Sequence, residues 1–259
     1  MIVLPKWTKA SNVLFYRNFN VFYNHFFLSV FEGLIQPLLY LTCFGFIMGS
    51  WFDITVVESY SKFVFTGILL CIPMSVAAYE VCYSTSNYLL DKDYKRFTLL
   101  LPVKHNDIYV AAFLWSTFKS LLIMGIFLVI GYALRLIDVY AFLPVLLIGL
   151  AISTFFSSLI LYISTYFDWD KNDYNNVLYI LIPLFLFSGT FFPVASLPVV
   201  FKQLALYNPI GYGIHLMRDF SLENNLFAYS IMISASLLTS LVFLSLSLRH
   251  YQLRQDKIH

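Results

Sequence analysis

The sequence predicts an all-α membrane protein. It has six transmembrane helices, an amphipathic interfacial helix at the N-terminus and a re-entrant hairpin between the fifth and sixth spans. Three observations predict this. Of the 259 residues, 60% are hydrophobic and 12% charged, with a mean hydropathy of +0.77. The apolar residues are gathered in long blocks, most beyond the roughly 20 residues a helix needs to cross the hydrocarbon core. The Lys and Arg residues between blocks fall mainly on alternate loops. Backbone groups in lipid must be paired within the structure, which leaves helices or a closed barrel. Barrel strands would be segments of about ten residues alternating apolar and polar. These blocks are longer and apolar on all sides, so they read as helices of a single domain, 1–259.

Taken in order, residues 1–25 mix Trp7, Val13, Leu14, Phe15, Phe19 and Phe22 with Lys9, Arg17 and Asn20. That pattern suits a helix lying in the interface, its basic residues toward lipid headgroups. The first long apolar block begins only near Phe26, which does not fit a cleavable signal peptide. The spans are expected at 26–49, 63–88, 108–134, 139–165, 177–192 and 226–248. The fifth is short, and Pro193, Pro198 and Pro209 follow it closely. Residues 188–225 are too apolar for a solvated loop, and prolines and glycines break them too often for a span. Two short helices, at 199–207 and 211–220 around Asn208-Pro209, make a re-entrant hairpin near the outer face. Broken helices are tolerated at membrane depth where protein buries them or where they line a cavity.

Orientation follows from the basic residues. One side carries Lys6, Lys9, Arg17, Lys92, Lys95, Arg96, Lys104, Lys171, Arg249, Arg254 and Lys257; the other carries Lys62, Arg135, Lys202 and Arg218. Eleven against four makes the first side cytoplasmic, with both termini on it. The loop between the second and third spans has a polar half, Asp91 to Arg96, then Phe97, Leu99, Leu100, Leu101 and Pro102. A short amphipathic helix ending near Pro102 fits, because proline disfavours helix at the preceding residue. Such a helix serves equally as a docking surface for another protein or as a positively charged anchor.

Ionisable groups at membrane depth are functional candidates. Glu32 lies in the first span, Glu80 in the second and Lys119 in the third. Glu80 and Lys119 are placed to neutralise each other between adjacent helices, while Glu32 is a candidate for a substrate headgroup or a dimer partner. Cys43, Cys71 and Cys82 fall inside apolar blocks with no metal-ligand spacing, so no metal site is expected. Asp168, Asp170 and Asp173 lack the glycine and terminal glutamate of a calcium loop and read as a solvated turn. Tyr79, Tyr83, Tyr162, Tyr179, Phe185 and Phe187 are ordinary packing residues that could also stack on sugars or grip acyl chains.

Two stretches carry a family resemblance. The first is LFSGTFFPVASLP at 186–198, followed by Tyr207-Asn208-Pro209 and Arg218; the second is the basic, leucine-rich stretch at 91–107 with Pro102. With these the chain resembles, over essentially its whole length, the permease subunits of ABC-2 type ABC transporters. That family includes nodulation-factor, capsule, O-antigen, teichoic-acid and drug exporters. Its members often have Gly-Thr-Leu-Glu where this chain has Phe97-Thr98-Leu99-Leu100. The resemblance implies a permease that pairs with a second copy of itself or a similar permease, and with two cytoplasmic ATPase subunits. Residues 91–102 would be the coupling helix, with Asp91, Lys92, Tyr94, Lys95, Arg96, Phe97, Leu99 and Pro102 meeting the ATPase. Residues 188–218 would be the re-entrant gate, carried by Ser188, Gly189, Phe191, Pro193, Pro198, Asn208, Pro209 and Arg218. It also implies a bacterial-type inner membrane, lipid contact, no nucleic-acid partner and an amphiphilic cargo.

No GxxxxGK[ST] phosphate loop occurs in the sequence, so ATP and Mg would be bound by the partner, and no cofactor is expected in this chain. The competing class, a gradient-driven secondary transporter or channel, calls for a buried charge network or an inverted repeat. The two halves do not match, and the broken segment occurs once. A membrane scaffold without transport would explain the topology but not the re-entrant segment.

Overall fold

The computed structural model describes residues 10–51, 60–85, 105–166, 173–194, 198–218 and 226–255. Among these there is no strand. The helices are α1 (Ala10–Asn24), α2 (Phe26–Tyr40), α3 (Tyr60–Thr85), α4 (His105–Ala133), α5 (Phe142–Tyr166), α6 (Asp173–Leu186), α7 (Val199–Tyr207), α8 (Pro209–Arg218) and α9 (Leu226–Gln255). The backbone of α2 continues as a wider π-helical stretch, Leu41–Ile47, and a 3₁₀ turn, Met48–Trp51. Upstream of that stretch Pro37 lacks the N–H that would bond the Gly33 carbonyl.

Five helices among the described residues are long and apolar enough to cross a membrane: Phe26–Ile47, Tyr60–Ser84, Asn106–Ala133, Val139–Ser164 and Ser230–Ser247. They coincide with the first four and the last of the expected spans. The fifth expectation, 177–192, differs from the structure. There α6 is a 14-residue helix that stops at Leu186, roughly 21 Å long. The chain then turns, so residues 187–192 are not helical. The stop has a local cause. The Ser188 hydroxyl donates to the Phe185 carbonyl at 2.6 Å, and Gly189 takes φ +81°, the left-handed conformation that ends helices. The first of the two short helices matches its expected range, and the second begins at Pro209 rather than 211. Asn208 explains that start: its Oδ1 accepts from the Ile210 N–H at 3.1 Å, and proline suits the first helical position.

Helix α3 is the axis of the bundle. Of its span 78% is buried by other elements, against 22% of the first span and 17% of the last. It packs on α4 and α5, and α9 packs on α5. Lipid tails are as apolar as leucine, so these contacts depend on close fit and small residues rather than on exclusion of water. Phe65 of α3 stacks on Phe127 of α4 with ring centroids 5.1 Å apart. The Phe65 ring occupies the space where a Cβ on Gly131 would stand, 1.9 Å from its Cζ, so α4 needs glycine there. Between α4 and α5 the small residues are hydroxylic: Ser116 and Ser157 meet at 2.8 Å, and Ser120, Ser153 and Ser158 are buried nearby on the same helices. Each of these last three donates to a carbonyl of its own helix three residues back, which satisfies the hydroxyl without water.

The N-terminal α1 packs against α4. Phe15 and Phe22 meet Trp115 edge-on at 5.7 and 5.8 Å, and Phe15 meets Phe118 at 5.8 Å. The expected aromatic face is therefore spent partly on protein. The opposite case is α2, which leaves Phe27, Leu28, Phe31, Ile35 and Leu39 exposed.

Candidate functional site

Polar and conformationally special residues gather at the two ends of α3. At its N-terminal end stands a clasp built on Arg218, the last residue of α8. Its Nη1 donates to the Gly189 carbonyl and its Nη2 to the Phe63 carbonyl, both at 2.8 Å. Longer contacts of 3.4 Å reach the Thr190 carbonyl and the Thr66 hydroxyl. The guanidinium carbon lies 3.4 Å from the centroid of the Phe63 ring, in cation–π geometry. Arg218 thereby joins three segments: α8, the turn after α6 and the start of α3. Its charge is met by carbonyl dipoles and a ring face; among the described residues no carboxylate touches it.

The same turn is fastened from two other directions. The Asn208 amide donates to the Leu184 carbonyl at 2.6 Å, and the Tyr60 hydroxyl donates to the Phe191 carbonyl at 3.1 Å. Ser188 and Thr190 hydrogen-bond each other at 2.6 Å, and the Cys71 thiol of α3 lies 3.4 Å from the Thr190 hydroxyl. All three are buried. Two glycines allow the close approach. A Cβ on Gly67 would stand 2.7 Å from the Thr190 Cα, and one on Gly211 would stand 2.7 Å from the Ala205 carbonyl oxygen. Phe191 fills the space toward the first span, its ring 4.4 Å from that of Phe44 and 5.2 Å from that of Phe185.

Of the residues expected at the gate, Ser188, Gly189, Phe191, Asn208, Pro209 and Arg218 thus come together. Pro193 and Pro198 lie exposed on the run toward α7. Sequence reasoning missed the carbonyls of Phe63 and Gly189 as partners of Arg218, and the parts played by Tyr60, Cys71 and Thr190. Backbone acceptors leave no trace in residue identity. The small residues Gly67 and Cys71, four apart on one face of α3, were the available signal.

Toward the other end of α3, a cavity of about 630 Å³ opens between α1, α2, α3 and α4. All three expected intramembrane charges line it. Lys119 Nζ donates to Glu80 Oε1 at 2.5 Å, and Trp115 Nε1 donates to Glu80 Oε2 at 2.8 Å. The two charged side chains are each 15% exposed, so the pair is partly withdrawn from solvent. Lys119 also lies 5.8 Å from the Phe22 ring centroid. Glu32, on α2, also lines the cavity, as do Arg17, Ser29, Tyr83 and Ser84. Trp115 was not anticipated as a partner of Glu80. Its position four residues before Lys119 puts both on one face of α4, which is the signal that could have found it.

The expected coupling residues Asp91, Lys92, Tyr94, Lys95, Arg96, Phe97, Leu99 and Pro102 lie outside the described residues. Among the described residues no group of three or more His, Cys, Asp or Glu is placed to hold a metal.

Comparison with known proteins agrees with this architecture. The family described as ABC-2 type transporter matches residues 10–222. Among curated proteins, the chain is 28% identical over 195 residues to Nodulation protein J of Rhizobium leguminosarum bv. viciae, covering 73% of each chain. It is 28% identical to Nodulation protein J of Rhizobium leguminosarum bv. trifolii, covering 75% of this chain and 74% of the other. To Nodulation protein J of Rhizobium meliloti (strain 1021) it is 26% identical over 211 residues, 80% of this chain and 79% of that one.

Proposed function

The chain belongs to the ABC-2 type transporter family, and on that premise we propose that it is the permease subunit of an ATP-driven exporter of an amphiphile. The cargo is a lipid, a lipid-linked glycan or a drug-like molecule. Two permease chains, identical or similar, form the path. Two cytoplasmic ATPase subunits bind ATP and Mg and drive the cycle. The complex sits in a bacterial-type inner membrane with both termini of this chain in the cytoplasm. In this reading α6 and the turn after it make the fifth of six crossings, α1 lies along the inner interface, and α7 and α8 form a re-entrant hairpin at the outer face.

One observation carries the mechanism: α3 is a single helix whose N-terminal end holds the clasp and whose C-terminal end bears Glu80 and borders the cavity. Thr85, the last residue of α3, leads directly into the segment that contains 91–102. A push on that segment by closing ATPases tilts α3. The Gly67–Thr190 contact and the Arg218 clasp then transmit the tilt to the outer end. This is rocking of packed elements around a path, with bistable packing in place of continuous deformation. The thinly covered first span, with Phe27, Phe31, Ile35 and Leu39 exposed, supports a second permease chain or lipid against that face.

The test is purification from the native membrane, identification of what accompanies the chain, and ATPase assay. A stoichiometric ATPase is expected, with binding weakened and hydrolysis uncoupled from transport in the Lys95→Glu/Arg96→Glu variant. If no ATPase accompanies the chain under conditions that keep such complexes intact, the coupling role of 91–102 fails. A gradient-driven transporter then becomes the better reading.

A further inference from the structure

We propose that the cavity between α1 and α2–α4 takes the ammonium-bearing headgroup of an amphiphile, with the Glu32 carboxylate as its counter-ion. The inference deepens the exporter reading and rests on it for the source of the headgroup. Binding itself is a property of this chain alone.

The argument starts from charge. Glu80 has both oxygens engaged, one by Lys119 and one by Trp115, so that pair is neutral within itself. Arg17 lines the same cavity and forms no ion pair with Glu32. Among the described residues no hydrogen-bond donor or cation reaches the Glu32 carboxylate, which is exposed toward the cavity. Glu32 lies six residues into α2, about 9 Å along the helix axis from Phe26. An acid at that depth in a spanning helix is costly unless something meets its charge. A ligand cation with N–H groups answers that charge, because a carboxylate binds an ammonium through charge-assisted hydrogen bonds roughly twice as strong as neutral ones.

The walls fit the same ligand. A cavity of about 630 Å³ lies within the usual size range of small-molecule sites. Tyr83 and Trp115 stand on its wall, and aromatic faces attract an ammonium or a sugar ring. The tail has a path as well. Phe27, Phe31 and Ile35 follow one another at four-residue spacing along the exposed side of α2, one position round the helix from Glu32. An acyl chain laid along that stripe leaves its headgroup at the cavity mouth.

The test uses the full chain purified in a neutral sugar detergent and titrated calorimetrically with stearylamine. Stearyl alcohol and stearate serve as neutral and anionic comparators of the same length. Stearylamine is expected to bind wild type at least about tenfold tighter than the Glu32→Gln variant, with stearyl alcohol indifferent to the substitution. Glu32 is exposed and has no partner among the described residues, so the variant keeps its fold; an unchanged thermal midpoint verifies this. Equal stearylamine affinity in the two proteins, or tighter binding of stearate than of stearylamine, overturns the proposal. A second arm separates two sources of the headgroup. In nanodiscs, competition by phosphatidylethanolamine and not by phosphatidylcholine assigns the site to a resident lipid, whereas no competition reserves it for cargo; both uphold the ammonium chemistry. ATPase capture is independent of this assay, so failure here leaves the exporter reading standing, and the reverse.

Discussion

Replacing Lys119 with Met removes one partner of a partly buried ion pair and keeps most of the side-chain volume. The Glu80 carboxylate is then left with the Trp115 N–H, 2.8 Å away, as its remaining partner. Breaking a buried pair from one side costs about 3–5 kcal/mol, mostly the penalty of the stranded charge. Here the pair borders a cavity and each side chain is 15% exposed, so water relieves part of that penalty and about 3 kcal/mol is expected. At roughly 2–4 °C per kcal/mol for a chain of this size class, the unfolding midpoint in detergent falls by about 6–12 °C. The double variant Glu80→Gln/Lys119→Met strands no charge, and Gln still accepts from Trp115. It should recover more than half of the loss, giving a coupling within the usual range of about 0.5–3 kcal/mol. The assay is thermal unfolding of the four proteins of the cycle, followed by intrinsic fluorescence at one detergent concentration. A Lys119→Met midpoint within about 2 °C of wild type refutes the ion-pair argument, as does a double variant at least as unstable as the single one.

Two further outcomes follow from the packing. Gly131→Ala puts a methyl into the Phe65 ring and should cost roughly 1–3 kcal/mol of overpacking, while Gly125→Ala on the same helix meets nothing within 4 Å and should be neutral or stabilising by up to about 1 kcal/mol. The paired midpoints of the two variants check this, and equal effects would refute it. Arg218→Ala loses two short charge-assisted bonds, about 3 kcal/mol, and Arg218→Lys retains the charge but cannot span both carbonyls. In a Cys43→Ala background, maleimide should then label Cys71, which is buried behind the clasp in wild type; mass spectrometry of the labelled chain reads it.

Helix positions were legible in the sequence because the bilayer imposes a length and a polarity on each span. The first four spans and the last are blocks whose hydropathy alone marks them. The fifth was misjudged at its C-terminal end because 187–192 are as apolar as the helix before them. Their departure from helix shows in the turn at 187–190 and in Gly189 at positive φ. Those are conformational facts that hydropathy does not register. That Ser188, Gly189, Asn208, Pro209 and Arg218 belong to one broken segment was legible from Gly, Pro and Asn spacing, and their common target on α3 was not. For the charges, adjacency of the second and third spans made Glu80–Lys119 pairing foreseeable. The presence of Glu32 on the wall of the same cavity was not foreseeable, because it depends on how α2 is rotated against α3 and α4.

The sequence by itself therefore determined what local physics and the solvent dictate: helices of spanning length, their breaks at proline and glycine, and where along each helix a charge falls. Tertiary structure alone decided which backbone carbonyls Arg218 grips, which ring excludes a side chain at Gly131, and which cavity wall Glu32 joins. The reason is that lipid does not distinguish one apolar face from another. Helix rotation and partner choice are set by close packing and by buried hydrogen bonds, and these reside in pairs of residues distant in the chain.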